Sequence, residues 1–258
     1  MLERMIKALA VAGCAALLID AAPIAEGWVQ VASPLGNFVS SNCANLSGED
    51  RGVSFTGGGL RIGRAYESDA PKTIALGKGR LEGIDRGEWG GELDWIAPDG
   101  SRTTLLKDDI HGLVPIASGI LVLAGLDHLG ISRGSLYLVA PSDGAPAPPR
   151  EIAKLAASAD TYAVASDGSV LVLTSEGLYR TSPEGDTKKV AALDTSEIGA
   201  LSLAVSENGT VYVGMRHYIV ALIPRGGAYE QQWWGPRQCP VLTREDRWHG
   251  DCHCVAQP

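Results

Sequence analysis

The sequence predicts an all-β protein built from repeated sheet units of about 42 residues. Three observations predict it: a strand pattern that recurs four times, a proline that closes each copy, and glycine-containing turns between apolar runs. The chain has 258 residues, among them 32 Gly and 14 Pro, enough to supply a turn at every strand end. Apolar residues fall on both strand faces, and this favours radially packed sheets over a sandwich, where apolar and polar residues would alternate.

The recurring strand is closed by a proline in every copy. Proline cannot donate a hydrogen bond to a neighbouring strand, so it is expected to stop each strand before a glycine turn. The prolines are Pro98, Pro141, Pro183 and Pro224. The copies are Gly91–Gly100, Gly134–Gly144, Glu176–Gly185 and the weaker His217–Gly226.

A second pattern, a turn dipeptide followed by an apolar run, lies between the copies. Asp167-Gly168 and Asn208-Gly209 are followed by apolar runs, and Ser118-Gly119 is a degenerate version. Such dipeptides predict hairpins with type I′ turns, which need positive φ at both central residues.

Two segments fit the repeat less well. Residues 151–159 have helical propensity, but once a four-residue insertion within residues 145–149 is allowed, Ile152 and Leu155 align with Val190 and Leu193 of a later copy, so we expect an outer strand. The region from Val53 to Leu76 is expected to supply one degenerate unit.

In this strand-and-turn rhythm, residues 50–225 resemble the β-propeller superfamily and are most similar to the NHL and lactonase-like propellers. The resemblance implies a β-propeller of about five to six four-stranded blades with a repeat near 42 residues. Its motifs are generic, so it implies no catalytic residue.

The first 25 residues have the pattern of an export signal. Arg4 and Lys7 precede an apolar run over residues 8–19, and Ala22 or Ala25 could precede the cleavage site. We therefore expect a periplasmic or secreted protein with a propeller domain over residues 26–230. The alternative is a lipobox ending at Cys14, which would make an outer-membrane lipoprotein held by its N-terminal lipid.

The C-terminal segment, residues 231–258, is rich in cysteine. After removal of the signal four cysteines remain, and an even number in an exported chain predicts disulfides that close the tail onto the N-terminal region. They are Cys43, Cys239, Cys252 and Cys254. The alternative is a zinc or copper site that also uses His249 and His253, although Cys-x-Cys is too short for the usual zinc knuckle.

The net charge of the chain limits the kinds of ligand that it can bind. The net charge is −8, and no cluster of Lys and Arg is available to neutralise phosphates, so nucleic acid is excluded. A basic or neutral ligand fits better, and we expect a protein or a glycan bound at one face.

Two long loops precede the first two repeat copies at equivalent positions, and loops of this kind carry binding in repeat scaffolds. His111 is a further candidate, because it precedes an apolar strand that is expected to face the central channel. The candidate ligand-binding residues are Asp85, Arg86, Glu88, Trp89, His111, Asp127, His128 and Arg133.

No familiar catalytic signature is present: Gly-x-Ser-x-Gly, a Walker loop, His-Glu-x-x-His and an EF-hand loop are all missing from the sequence. We therefore expect a non-catalytic binding or scaffold module without a cofactor. The alternative is a lactonase-like hydrolase with a divalent metal in the channel. Its candidate ligands are Glu82, Asp85, His111 and Asp127.

Overall fold

The computed structural model describes residues 24–36, 44–45, 49–65 and 70–237. These ranges hold nineteen β-strands, so the protein is all-β as expected. Several predicted features lie outside the described residues. They are most of the export signal, Cys14, the four remaining cysteines and the two tail histidines. No helix in the described part of the chain has the length and apolar character needed to cross a membrane.

The strands follow one another along the chain in groups of three or four. The first three are β1 (Trp28–Val31), β2 (Arg51–Thr56) and β3 (Gly59–Arg64). The next four are β4 (Lys72–Leu76), β5 (Gly79–Ile84), β6 (Glu92–Ile96) and β7 (Arg102–Leu106), with a single 3-10 turn at Gly87–Trp89 between β5 and β6. They are followed by β8 (Ile110–Ile116), β9 (Gly119–His128), β10 (Ile131–Val139) and β11 (Arg150–Leu155). The next sheet contains β12 (Ala159–Val164), β13 (Val170–Thr174), β14 (Gly177–Thr181) and β15 (Thr187–Ala192). The last group is β16 (Ala200–Val205), β17 (Val211–Met215), β18 (Ile219–Arg225) and β19 (Ala228–Pro236).

Within the sheets, strands that follow one another along the chain pair antiparallel, except that β1 pairs with β19. The three middle groups are four-stranded meanders, and β2 pairs with β3 in a two-stranded sheet. In the last sheet β1 joins as a fifth strand, so that Trp28 lies opposite Pro236 and Val31 opposite Trp233. The prediction of four strands per unit is therefore correct for three sheets, while the hairpin has two strands and the last sheet has five. β19 ends at Pro236, inside the segment that the sequence assigns to the tail.

The repeated prolines mark the third strand of each sheet. Pro98, Pro141 and Pro183 follow β6, β10 and β14, as a strand stop should. The prediction was wrong for Pro224, which lies within β18 opposite Tyr229. There the hairpin to β19 is longer, so the strand continues past the proline.

The turn dipeptides Asp167-Gly168 and Asn208-Gly209 lie in hairpins, as predicted, but not in type I′ turns; the hairpins join the first and second strands of β12–β15 and of β16–β19. Gly168 and Gly209 have φ of 78° and 82°, whereas Asp167 and Asn208 have no positive φ. Their side-chain oxygens instead accept hydrogen bonds from the backbone N–H two residues later, each at 3.1 Å. The side-chain bond stabilises the right-handed backbone at Asp and Asn, so only glycine takes the left-handed conformation.

The strand predicted over the helix-prone segment is confirmed for residues 151–155, because β11 pairs with β10 along the sheet edge, while Ala159 already begins β12. The degenerate unit is smaller than expected. Leu76 belongs to β4 and therefore to the next sheet.

The hydrophobic core lies between successive sheets. Strand β9 illustrates this, since Val122 and Ala124 pack toward the preceding sheet while Leu121 and Leu123 pack toward the following one. Further clusters join the sheet of β12–β15 to the last sheet, and the last sheet to the hairpin. Four sheets stack face to face in this way, the hairpin packs on the last of them, and residues from all five groups line one cavity, which is a propeller-like arrangement.

Candidate ligand-binding site

A cavity of about 440 Å³ is lined by residues of β4, β8, β12 and β16 and by Asp50 and Ala65, which flank the β2–β3 hairpin. A second cavity of about 300 Å³ shares its wall and opens toward the long loops. We call the residues around this second cavity that carry ionisable groups the acidic mouth. They are Asp85, Asp109, His111, Asp127 and Asp160.

A recurring β-bulge places side chains in the channel. In β8 the register with β9 shifts between Ile110 and Gly112, so His111 is an extra residue. The same shift occurs around Asp160 in β12 and around Leu201 in β16. All three residues line the central cavity. Bulges re-aim a side chain out of the sheet alternation, and here they point three equivalent positions toward the channel axis.

His111 is held on both sides of its ring. Its Nδ1 lies 3.1 Å from the Asp85 carboxylate, and its Nε2 lies 3.1 Å from the Gly125 carbonyl oxygen and 3.2 Å from Ser158 Oγ. The Gly125 carbonyl oxygen and the Asp85 carboxylate can only accept hydrogen bonds, so each ring nitrogen of His111 faces an acceptor. Although Asp85, His111 and Ser158 follow the order of a hydrolytic triad, Ser158 is only 3% exposed. The contacts orient His111 rather than activate a serine.

Burial and mutual repulsion raise the pKa values of two carboxyls in the acidic mouth. The pKa of Asp160 rises to about 7, mainly through desolvation and secondly through the charge of Asp127. Asp160 is surrounded by protein, yet its side chain is exposed to the channel, and channel water moderates the effect of burial. Desolvation is also the main reason that the pKa of Asp109 is raised, opposed by a 2.9 Å hydrogen bond from the Arg86 N–H. The site therefore favours a lower negative charge than its composition suggests.

Asp160 should make stability depend on pH. A carboxyl whose pKa is raised on folding binds more protons in the folded state, so stability is highest at acidic pH and falls as pH rises from about 4 through about 7. We expect Asp160→Asn to be more stable than wild type at pH 8 by about 1 kcal/mol. This is well below the roughly 4 kcal/mol of a fully desolvated group, because channel water screens the charge.

Urea unfolding of both proteins between pH 4 and 8 measures this effect. The difference between the two curves should grow with pH, and taking that difference removes the contribution of Asp109. A constant difference would show that the Asp160 carboxyl has the same pKa in the folded and unfolded states.

The structure brings the two long loops together. Glu88 in the first loop pairs with His128 in the second at 2.8 Å. Asp85 and Asp127, one from each loop, line the acidic mouth, while Trp89 is 82% exposed beside it.

The two candidate arginines are engaged within the fold. Arg86 pairs with Glu92 at 2.9 Å, and Arg133 pairs with the buried Asp108 at 2.7 Å. Sequence reasoning missed Asp109 and Asp160, although Asp160 lies at the same distance before its turn glycine as His111 does.

The metal-ligand set proposed from sequence does not assemble. Glu82 lies in β5 and pairs with Arg102 at 2.5 Å, and it lines neither cavity. Within the described ranges no three His, Cys, Asp or Glu side chains are close enough together to hold a metal ion. These residues as placed do not fit a bound divalent metal.

The sheets and the cavity define an all-β propeller protein with an acidic mouth at its channel. No family model matches the chain, and no curated protein matches it.

The solved structures that resemble this chain are distant from it. A luciferin-regenerating enzyme is 10% identical with a TM-score of 0.43, covering 67% of this chain and 65% of its own. A protein of unknown function from Bacteroides thetaiotaomicron is 14% identical with a TM-score of 0.41, covering 72% and 47%. A gluconolactonase from Xanthomonas campestris is 14% identical with a TM-score of 0.37, covering 71% and 63%. This chain thus spans less than two-thirds of the length of each.

Proposed function

We propose that the protein is an exported, non-catalytic propeller module that binds a cationic group of a protein or glycan ligand in its acidic mouth. The observation that carries the proposal is the convergence of Asp85, Asp109, Asp127 and Asp160 on one cavity. Bringing carboxylates together in a partly desolvated site costs free energy. A bound cation offsets this repulsion.

The surroundings support a cationic ligand over an anionic or neutral one. Because His111 is already paired with Asp85, the carboxyl groups of Asp109, Asp127 and Asp160 remain to attract a cation. The net charge of −8 adds long-range attraction for a basic partner, which would speed association at low salt.

The proposal includes five blades, with the β2–β3 hairpin as an incomplete one, and export to the periplasm or the exterior by residues 1–25. Cleavage after Ala22 or Ala25 would retain β1, which completes the last sheet. Disulfides among the four cysteines would add a second link between the two ends of the chain. Lipidation at Cys14 is the alternative mode of processing.

Calorimetric titration with matched cationic and neutral probes tests the function. The probes are short peptide amides that contain lysine or acetyl-lysine, and chitosan oligomers beside their acetylated forms. We expect at least about tenfold tighter binding of the charged member of one pair, weakening as salt rises. Equal affinity for charged and neutral members of both pairs would contradict the proposal.

Metal-dependent hydrolysis is the competing function. Assays of the purified protein with lactone, ester and glycoside substrates, with and without added divalent metals, address it directly. Turnover that is lost when His111 or Asp85 is replaced by an uncharged residue would show an enzymatic function in place of the binding function.

A further inference from the structure

Three large apolar side chains are exposed at the ends of the two long loops. Trp89, Leu129 and Ile131 are 82%, 89% and 60% exposed. We call these three residues the apolar tip. The Glu88–His128 ion pair joins the loops that carry them, so the tip lies on one side of the molecule.

Leu129 occupies a backbone conformation that does not suit leucine. His128 and Ile131 are paired in the β9–β10 hairpin, so Leu129 and Gly130 are its two turn residues, with φ of 47° and 81°. This is the type I′ pattern, in which Asn or Gly is preferred at the first position. A left-handed conformation brings Cβ close to the following carbonyl oxygen, and leucine has no side-chain polar group with which to offset that cost.

Nothing within the described part of the chain compensates for this strain. Leu129 is 89% exposed, so its side chain gains little from burial. Strain and exposure at the same residue point to a contact made outside the chain.

The apolar tip borders the acidic mouth. Trp89 lines a cavity of about 400 Å³ that also includes Gly87, Asp109 and Leu126. The same three residues line the cavity of the acidic mouth. A ligand in contact with the tip can therefore reach the carboxylates.

We infer that the apolar tip and the acidic mouth together bind an extended polypeptide segment in which an apolar residue lies close to a lysine or arginine. This inference rests on the proposed function and specifies its ligand. The apolar side chain of the segment would pack on Leu129 and Trp89, and the basic side chain would enter the acidic mouth.

Charge complementarity favours a polypeptide over the other occupants of an exposed apolar surface. An anionic membrane is repelled by the adjacent carboxylates and by the net charge of −8. A second copy of the chain carries the same charge. A glycan could stack on Trp89, but the aliphatic side chains of Leu129 and Ile131 offer no partner for its hydroxyl groups.

The experiment uses Leu129→Asn and, as a second variant, Leu129→Gly. The probes are fluorescent nonapeptides with one leucine and one lysine at varied spacing in a Gly/Ser background, with matched peptides that have serine for leucine. Both variants relieve the strain, so we expect Tm to rise by about 2 °C. Fluorescence anisotropy should show binding of the leucine peptide weakened about fivefold or more, while the serine peptide is unaffected.

Val164→Thr is the matched control, because Val164 is also exposed, at 52%, but lies in β12 away from the long loops. It should leave peptide binding unchanged. An unchanged or lowered Tm in both Leu129 variants would overturn the strain argument and with it the inference.

The outcomes separate this inference from the proposed function. If lysine peptides bind equally with leucine or serine, the tip makes no contact and only this inference fails. If no cationic probe binds, the proposed function fails as well. Binding to neutral vesicles or to glycans, or self-association, that disappears in Leu129→Asn would assign the tip to that occupant instead.

Discussion

Gly91→Ala is expected to destabilise the fold by about 3 kcal/mol, because a Cβ at this position has no space. It would lie 2.0 Å from the Ile84 carbonyl oxygen and 2.7 Å from both the Asp108 carbonyl oxygen and the Asp109 Cα. All three are backbone atoms of β5 and of the connection between β7 and β8, and they cannot move as a flexible side chain can. Asp109 would be displaced from the acidic mouth.

Gly63→Ala is the matched control for this substitution. Gly63 also lies in a strand, β3, and among the described residues no atom outside its immediate chain neighbours lies within 4 Å of the point that an alanine Cβ would occupy. Its cost should stay within about 0.5 kcal/mol. Chemical denaturation of both variants measures the difference, and equal stabilities would contradict the close backbone packing at Gly91.

Asp127→Asn is expected to weaken binding of a cationic peptide about tenfold at pH 8. A carboxylate that faces a bound cation contributes on the order of 1.4 kcal/mol, which corresponds to that factor. The substitution preserves shape, and Asp127 is exposed, so folding should be little affected. Because the charge of Asp127 helps to raise the pKa of Asp160, that pKa should fall in the variant.

Asp143→Asn removes an equal charge from a loop beyond β10 that lines none of the three cavities near the long loops. Titration at low and high salt compares the two variants. Equal losses of affinity would show that net charge, rather than the acidic mouth, attracts the ligand.

The repeat was predictable because proline and glycine act locally. Proline has no N–H to donate to a neighbouring strand, so it ends most of the strands that it follows, and glycine marks each sharp turn. The order of the strands could therefore be derived from the sequence alone. Pro224 shows the limit of this reasoning, since the pairing with β19 extends the strand past the proline. Whether a strand continues past a proline depends on the strand that pairs with it, and the sequence around the proline does not reveal that strand.

The channel residues were only partly predictable, because a bulge reverses the side-chain alternation at one point in a strand. His111 was identified from its place before an apolar strand, while Asp160 was not. A usable signal exists: His111, Asp160 and Leu201 each precede the turn glycine of their hairpin by the same number of residues. Aligning the repeats on Gly119, Gly168 and Gly209 would have placed all three in the channel.

The partners of the loop arginines could not be predicted. Arg133 pairs with Asp108 across the sheet, and nothing in the local sequence links these two residues. A charged side chain in a loop is available for a ligand only if no such partner exists, and that depends on how the strands are arranged in space.

Proton release on binding tests the central claim most directly. If a cation enters the acidic mouth, it favours the ionised form of Asp160, whose pKa of about 7 then falls, and a proton is released. Calorimetric titration of a lysine peptide at pH 7 in two buffers of different ionisation enthalpy should show a net release of part of a proton in wild type and a smaller release in Asp160→Asn, where only Asp109 keeps a raised pKa. Equal heats in both buffers for wild type, or proton uptake, would contradict cation binding at this site.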